Sequence, residues 1–110
     1  MTEEISLDGG RCELCGRHVQ EITRHHLIPQ KRHTARRARR HFAREELKTR
    51  IALLCRPCHD QVHAHLDHKK LEQEYNTIEA LAAHPALRKF ADWVSDKPDG
   101  LRVHTRRKSS

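Results

Sequence analysis

Two Cys-x-x-Cys pairs constrain the fold of this chain more than any other sequence feature. Cys12 and Cys15 form the first pair, Cys55 and Cys58 form the second, and the chain contains no further cysteine. Four thiolates are the ligand set of a closed, tetrahedral zinc site. In a reducing compartment the pairs favour metal thiolates over disulfides, which remain the alternative interpretation. A zinc ion bound to both pairs would join two segments that are far apart in the sequence.

The composition agrees with a small domain that needs such a link. The chain has 110 residues, of which 35% are hydrophobic and 34% are charged, and only four are Phe, Trp or Tyr. A core this thin gives little stability by itself, so metal binding would contribute to folding. No apolar run approaches the ~20 residues that span a bilayer, and the polar N-terminus differs from a signal peptide. We therefore expect one cytoplasmic domain without a membrane partner.

A His-His doublet and a His-x-x-x-His pair form a second group of candidate ligands. The doublet, His25 and His26, lies in a stretch from about residue 19 to 28 that predicts a strand. Adjacent residues of a strand point to opposite sides, so one imidazole can face a metal and the other the substrate. His59 and His63 lie in a predicted helix, where residues four apart have Cβ atoms about 5–6 Å from one another. Three of these histidines can form an open metal site, and the fourth is left as a base.

The other histidines match neither pattern. His65 and His68 point away from the helix face of His59 and His63, so we expect them on the solvent face without a ligand role. The alternative for one of the remaining histidines is a hydrogen bond that orients a metal ligand. Surface positions are expected for His18, His33, His41, His84 and His104.

Positive charge is concentrated in one segment. Residues 24 to 50 contain ten Lys and Arg against two Glu, a net charge of +8, whereas the whole chain carries +7. A cationic surface of this density attracts polyphosphate by counterion release, without reading bases. A solvated face of the helix predicted over residues 31 to 48 is the alternative. The candidate phosphate contacts are Arg24, Lys31, Arg32, Arg36, Arg37, Arg39, Arg40 and Arg44.

The order of these motifs resembles the HNH endonucleases, also called ββα-metal or His-Me finger nucleases. The cysteines are similar to those of the zinc-knuckle subgroup, and the histidines are similar to those of colicin-type DNases. The resemblance covers residues 12 to 63, about half of the chain. It is carried by Cys12-x-x-Cys15, then His25-His26-Leu27-Ile28-Pro29, then Leu54-Cys55-Arg56-Pro57-Cys58-His59-x-x-x-His63.

The resemblance implies a small α+β fold with a ββα-metal core, four-cysteine zinc knuckles, a basic helical insertion and C-terminal helices. By position, His25, His59 and His63 would bind one catalytic divalent ion, which can be Mn, Co, Ni, Zn or Mg. His26 would be the general base, for which an unperturbed pKa of about 6.5 is suitable. The implied partner is DNA, expected to be double-stranded and held through its backbone phosphates. The implied cofactors are this ion and a structural zinc.

One position departs from the family pattern. The central asparagine of the family falls on Arg50, and Asn76 is the only asparagine of the chain. A charged arginine cannot ligate a metal, but it can hold a phosphate, and Arg50 is therefore a candidate catalytic residue. The departure also keeps an alternative open, a catalytically inactive zinc module that binds nucleic acid. A structural zinc domain that recruits proteins is a third interpretation.

The sequence divides into three parts. Residues 1 to 76 are predicted to form the nuclease core with its zinc knuckles, including a helix that runs from Cys58 towards residue 75. Residues 77 to 101 are predicted to form a helical buttress of the same domain, with Asn76 or Thr77 as a cap and a new helix starting at Pro85. A surface on Phe90 and Trp93 that binds a protein partner is the alternative for this part. Residues 102 to 110 are expected to be a disordered basic tail.

Overall fold

A computed structural model describes residues 5–6 and 9–100 of the chain, which form a small α+β fold. Within these ranges, three strands form one antiparallel sheet in the order β1-β4-β5, and two form another, β2-β3. The predicted basic tail, residues 102 to 110, lies outside the described residues. The strands are β1 Ile5–Ser6, β2 Gly10–Arg11, β3 His18–Val19, β4 Ile22–His26 and β5 Ile51–Cys55.

Helices make up most of the rest. In the described ranges, none of them has the length and apolar character that a membrane crossing requires. A short 3-10 turn, Gln30–Arg32, precedes the first. The helices are α1 Arg36–His41, α2 Arg44–Thr49, α3 Arg56–His65, α4 His68–Gln73, α5 Ile78–Ala83 and α6 Pro85–Val94.

The hairpin of β4 and β5 continues directly into α3. In its register Ile22 is opposite Cys55 and His25 is opposite Ala52. Strand β5 ends at Cys55, and α3 begins at the next residue, with Pro57 in its first turn, where a missing N–H costs no hydrogen bond. This helix packs against both strands of the hairpin. One short unit therefore carries the three candidate histidine ligands and the second cysteine pair.

The C-terminal helices share the main core with the cysteine region. One cluster of buried residues includes members of the strands, of α3 and α4, and of α5 and α6. A separate small cluster stabilises the basic segment: Ile28, Ala38 and Leu47 are buried, and Phe42 packs against them. The main cluster includes Cys12, Val19, Ile22, Leu54, Val62, Leu71, Leu81, Leu87 and Val94.

Two long helices of the sequence prediction are each broken in the structure. The basic segment is divided between α1 and α2, because Phe42 adopts an extended backbone and Ala43 N–H donates a hydrogen bond to the Glu46 carboxylate at 3.1 Å, which begins α2. The helix predicted to run towards residue 75 ends at His65. Asp67 then begins α4 by accepting a hydrogen bond from Lys70 N–H at 2.7 Å.

The other predicted boundaries lie closer to those of the structure. The strand expected over residues 19 to 28 is shorter, since β3 ends at Val19 and β4 runs from Ile22 to His26. Thr77 caps α5 by accepting from Ala80 N–H at 3.0 Å, and α6 starts at Pro85, as predicted. The caps were readable in the sequence because their chemistry is local.

Candidate metal centres and the basic surface

The structure brings all four cysteines together. Their sulfur atoms lie within 4.8 Å of one another. The Cys15 and Cys55 sulfurs are 3.8 Å apart, and a regular tetrahedron with Zn–S bonds of ~2.3 Å has edges of about 3.8 Å. The cluster therefore has the geometry of a possible structural metal site.

A tight turn presents the first pair. Cys15 N–H points to Cys12 Sγ at 3.4 Å, and Gly16 N–H donates to the Cys12 carbonyl oxygen at 2.9 Å. Gly16 has a φ of +84°, a left-handed conformation that glycine adopts without the steric cost of a side chain. The second pair is held by the junction of β5 and α3. The local backbone of each pair thus directs its sulfurs to one point.

Arg17 is a supporting residue that the sequence analysis missed. It is buried, and its Nη2 donates to Cys55 Sγ at 3.3 Å. Its Nη1 donates to the carbonyl oxygens of Lys97 and Pro98 at 3.2 and 3.0 Å. The hydrogen bond with Cys12 lowers the pKa of the Cys55 thiol to about 6, and the Arg17 contact acts in the same direction. Arg17 therefore favours the thiolate and ties the cysteine cluster to the turn after α6.

The three candidate histidine ligands also converge. The ring centroids of His25 and His59 are 5.0 Å apart, those of His25 and His63 are 5.3 Å apart, and those of His59 and His63 are 4.9 Å apart. Their ligand nitrogens lie within 4.8 Å of one another. His25 and His59 are buried, whereas His63 is half-buried. The group is therefore a second cluster that could hold a metal ion, with its more open side at His63.

Thr23 determines which nitrogen of His59 can bind a metal. Thr23 Oγ1 donates its single proton to the Leu54 carbonyl oxygen at 2.6 Å. It also lies 2.7 Å from His59 Nδ1, so in this second contact the hydroxyl must accept. His59 is consequently protonated on Nδ1 and keeps the Nε2 lone pair for a metal. Burial, followed by the charge of His63, lowers the pKa of His59 to about 3, which favours the neutral ring.

His26 faces away from this cluster. Its ring contacts His33, with centroids 6.5 Å apart, whereas His25 contacts the histidines of α3. The side-chain amide of Gln30 donates to His26 Nε2 at 3.3 Å, which leaves that nitrogen as an unprotonated acceptor. His33 Nε2 donates to the Ile28 carbonyl oxygen at 2.8 Å. The doublet thus separates its two imidazoles as the strand prediction required.

The solvent-face prediction for His65 and His68 was wrong. The break after α3 turns the chain back, so the His68 ring lies 6.2 Å from that of His63, at the edge of the cluster. The half-buried His65 packs beside His84 at 6.0 Å. His84, also predicted at the surface, is half-buried and accepts from Ala86 N–H at 3.2 Å to cap α6. His33 is likewise half-buried, His18 and His41 are exposed, and His104 lies outside the described residues.

The Arg50 guanidinium is half-buried and is bound by other groups of the protein. Its Nε and Nη2 donate to the Asn76 carbonyl oxygen at 3.1 and 3.0 Å, and Nη2 also reaches Asn76 Oδ1 at 3.2 Å. Its Nη1 donates to the Glu46 carboxylate at 3.3 Å, and the group lies 5.3 Å from the centroid of the Phe42 ring. This arrangement favours a brace between α2 and the segment before α5 over the expected phosphate clamp.

The basic segment contains two kinds of arginine. Arg32 and Arg37, both predicted to contact DNA, bind the fully buried carboxylate of Glu72 in α4. They differ from the prediction because a buried carboxylate requires charge-assisted partners. These two pairs dock the segment on α4. The remaining candidates, all of them exposed, are Arg24, Lys31, Arg36, Arg39, Arg40 and Arg44.

Comparisons with known proteins give one informative relative. No family model matches the chain, and no solved structure matches it significantly. The uncharacterized protein YisB of Bacillus subtilis (strain 168) is 33% identical over 100 residues, which cover 89% of this chain and 86% of YisB. The chain belongs to the YisB family. Membership of the YisB family indicates a shared fold, and the activity must be inferred from the residues of the site.

Proposed function

We propose that the chain is a metal-dependent HNH endonuclease that hydrolyses DNA phosphodiester bonds. The observation that carries the proposal is the convergence of His25, His59 and His63, whose ligand nitrogens lie within 4.8 Å of one another. The unit of β4, β5 and α3 has the strand-strand-helix order that the ββα-metal resemblance implies. His26 extends from the same strand towards the opposite side, where a substrate would approach a base.

The cysteine cluster is proposed to hold a structural zinc ion. Its sulfur spacing matches a tetrahedral thiolate site, and the buried Arg17 supplies a positive charge next to one sulfur. Four thiolates around a divalent ion leave a net negative charge, which a neighbouring guanidinium offsets. The zinc would fix the start of α3, and with it the position of His59.

The histidine cluster is proposed to hold the catalytic divalent ion. Three neutral imidazoles favour Mn, Co, Ni or Zn, whereas Mg prefers oxygen ligands and retains its waters. When bound, this ion would polarise the scissile phosphate and stabilise the leaving oxygen. Thr23 prepares the site, since it leaves His59 Nε2 available as a ligand.

His26 is proposed to take a proton from the attacking water. Its Nε2 is the nitrogen that accepts from Gln30, so this atom has the lone pair that the reaction needs. The exposed Gln30 amide can give way to a water molecule at the same position. The exposed arginines and Lys31 would hold the DNA backbone near this nitrogen.

Plasmid cleavage tests the proposal. Purified zinc-loaded protein would be incubated with supercoiled plasmid and Mn²⁺, Co²⁺, Ni²⁺, Zn²⁺ or Mg²⁺, beside His26→Ala. We expect nicking by the wild-type protein and its loss in His26→Ala, with zinc content and DNA affinity unchanged. Unchanged nicking by His26→Ala would contradict the assignment of the base.

A zinc-stabilised module that binds nucleic acid without cutting it is the second candidate. It is supported by the engagement of Arg50 with Asn76 at the position where the family pattern has its central asparagine. This candidate predicts salt-dependent DNA binding and no nicking with any of the ions. The same plasmid experiment therefore separates the two functions.

A further inference from the structure

A groove lies between α1 and α2, outside both metal clusters. It has a volume of about 460 Å³, within the range of pockets that enclose small ligands. Phe42 and Leu47 contribute apolar surface, and Arg39, Arg44 and Lys48 contribute cationic side chains. We call this feature the α1–α2 groove.

The cations of the α1–α2 groove differ in their partners from the arginines that attach the basic segment to the rest of the fold. Arg32, Arg37 and Arg50 are directed to Glu72 or Asn76. Among the residues that the structure describes, Arg39, Arg44 and Lys48 make no ion pair with a carboxylate. Three exposed cations around one concave surface have the chemistry to bind an anionic ligand such as a phosphate.

The position of the groove connects it to the proposed active site. His33 lines the groove, and its ring lies 6.5 Å from that of His26. A strand whose phosphate is at His26 can therefore continue into the groove. A phosphate gains nothing from contact with the apolar surface of Phe42 and Leu47, whereas the flat face of an unpaired base can pack against it.

We propose that the α1–α2 groove binds an unpaired nucleotide of a single strand, with the three cations on its phosphates and its base against Phe42. A duplex does not fit this assignment, because its bases are stacked inside and cannot reach a side chain in a groove. The inference rests on the proposed function for the identity of the strand as nucleic acid. It adds that the preferred substrate has unpaired nucleotides beside the cut.

Binding measurements on His26→Ala protein test the groove without any cleavage. The probes are a fluorescent oligothymidylate, an abasic strand of equal length and a hairpin duplex. Replacing Arg39, Arg44 and Lys48 with Gln should flatten the slope of log Kd against log salt by about 2 for oligothymidylate, because a single strand releases ~0.7 counterion per phosphate contact. The matched control replaces Arg11, Lys69 and Lys89 with Gln, because these side chains are exposed, carry equal charge and lie outside the basic segment of residues 24 to 50. It should change this slope by much less.

Phe42→Leu separates stacking from charge. It should weaken oligothymidylate binding by about tenfold and leave the abasic strand and the duplex unchanged, provided that circular dichroism shows an intact fold. If this variant does not fold, the wild-type comparison still decides, since equal affinity for oligothymidylate and the abasic strand would overturn the proposal. Equal slopes for the two triple variants would also overturn it. Plasmid nicking that depends on His26 would survive either result, so failure of the groove is distinct from failure of the nuclease.

Discussion

Replacing Thr23 with valine removes one oxygen atom beside the histidine cluster and changes little else. Valine is also β-branched and of similar volume, so the strand conformation and packing should be retained. The substitution takes a hydrogen-bond partner from two buried groups. These are the Leu54 carbonyl oxygen, 2.6 Å from Thr23 Oγ1, and His59 Nδ1, 2.7 Å from it.

Two magnitudes follow from this geometry. Loss of a partner costs a buried polar group about 1–3 kcal/mol, so we expect the free energy of unfolding to fall by about 2 kcal/mol. Loss of the group that orients a histidine ligand typically costs about 10- to 100-fold in metal affinity. The Kd of the histidine cluster for Co²⁺ should rise by that factor in Thr23→Val.

Isothermal titration of the zinc-loaded protein with Co²⁺ measures this Kd, and thermal unfolding measures the stability. Thr23→Ser is the matched control, because it keeps the hydroxyl and loses one methyl group, and it should retain Co²⁺ affinity close to that of the wild type. Zinc content should be equal in all three proteins. A folded Thr23→Val with unchanged Co²⁺ affinity would refute the tautomer assignment, and tighter binding would show that His59 uses Nδ1.

Four further substitutions test the remaining assignments. Cys55→Ser should lose the structural zinc and unfold or aggregate, because zinc binding is coupled to folding; zinc analysis and circular dichroism check this, and a metal-free protein of unchanged stability would contradict it. His26→Ala should lower the nicking rate by about 10²- to 10⁴-fold, measured under single-turnover conditions. His25→Asp should move the metal preference towards Mg²⁺, because it introduces an oxygen ligand, and best activity of the unaltered protein in Mg²⁺ would contradict the three-histidine site. Arg50→Asn should destabilise the fold by about 1–3 kcal/mol through loss of the contacts to Asn76, whereas a weaker DNA affinity with unchanged stability would restore the phosphate clamp.

The candidate ligands could be found in the sequence because their spacing is local. Cys-x-x-Cys places two sulfurs on one turn, and His-x-x-x-His places two imidazoles on one helix face, whatever the rest of the chain does. Thr23 belongs to no local sequence motif of this kind. Its role depends on the register that puts it opposite Leu54 and on the packing of α3 over that pair, and both are tertiary.

Some helix ends were predicted and others were missed, and the difference again depends on whether the signal is local in the sequence. The cap at Thr77 and the start at Pro85 depend on one or two residues; Pro85 was predicted, and Thr77 was one of the two predicted caps. Asp67 provides an equally local signal, and it was missed because the helical pattern around it is continuous. The break at Phe42 had a weaker local signal, because the residue that begins α2 is Ala43, which has no side-chain oxygen to mark it as a cap.

The arginines show why net charge does not map directly onto a binding surface. The value of +8 for residues 24 to 50 counts every cation equally. In the structure, Arg32 and Arg37 neutralise a carboxylate that is fully buried, and Arg50 donates to a backbone carbonyl. These contacts are short in range and attach the segment to α4 and the residues after it.

Neighbouring positions of one helix therefore have different physical tasks. Arg37 points to the buried Glu72 and holds α1 in place, whereas Arg39, two residues later, lines the α1–α2 groove. The helical period of 3.6 residues separates the two side chains by about half a turn, so they emerge on nearly opposite sides of α1. The side of α1 that carries Arg37 is fixed to Glu72, and this contact orients the side that carries Arg39. The positions of the exposed charges therefore depend on the ion pairs that hold the basic segment on α4.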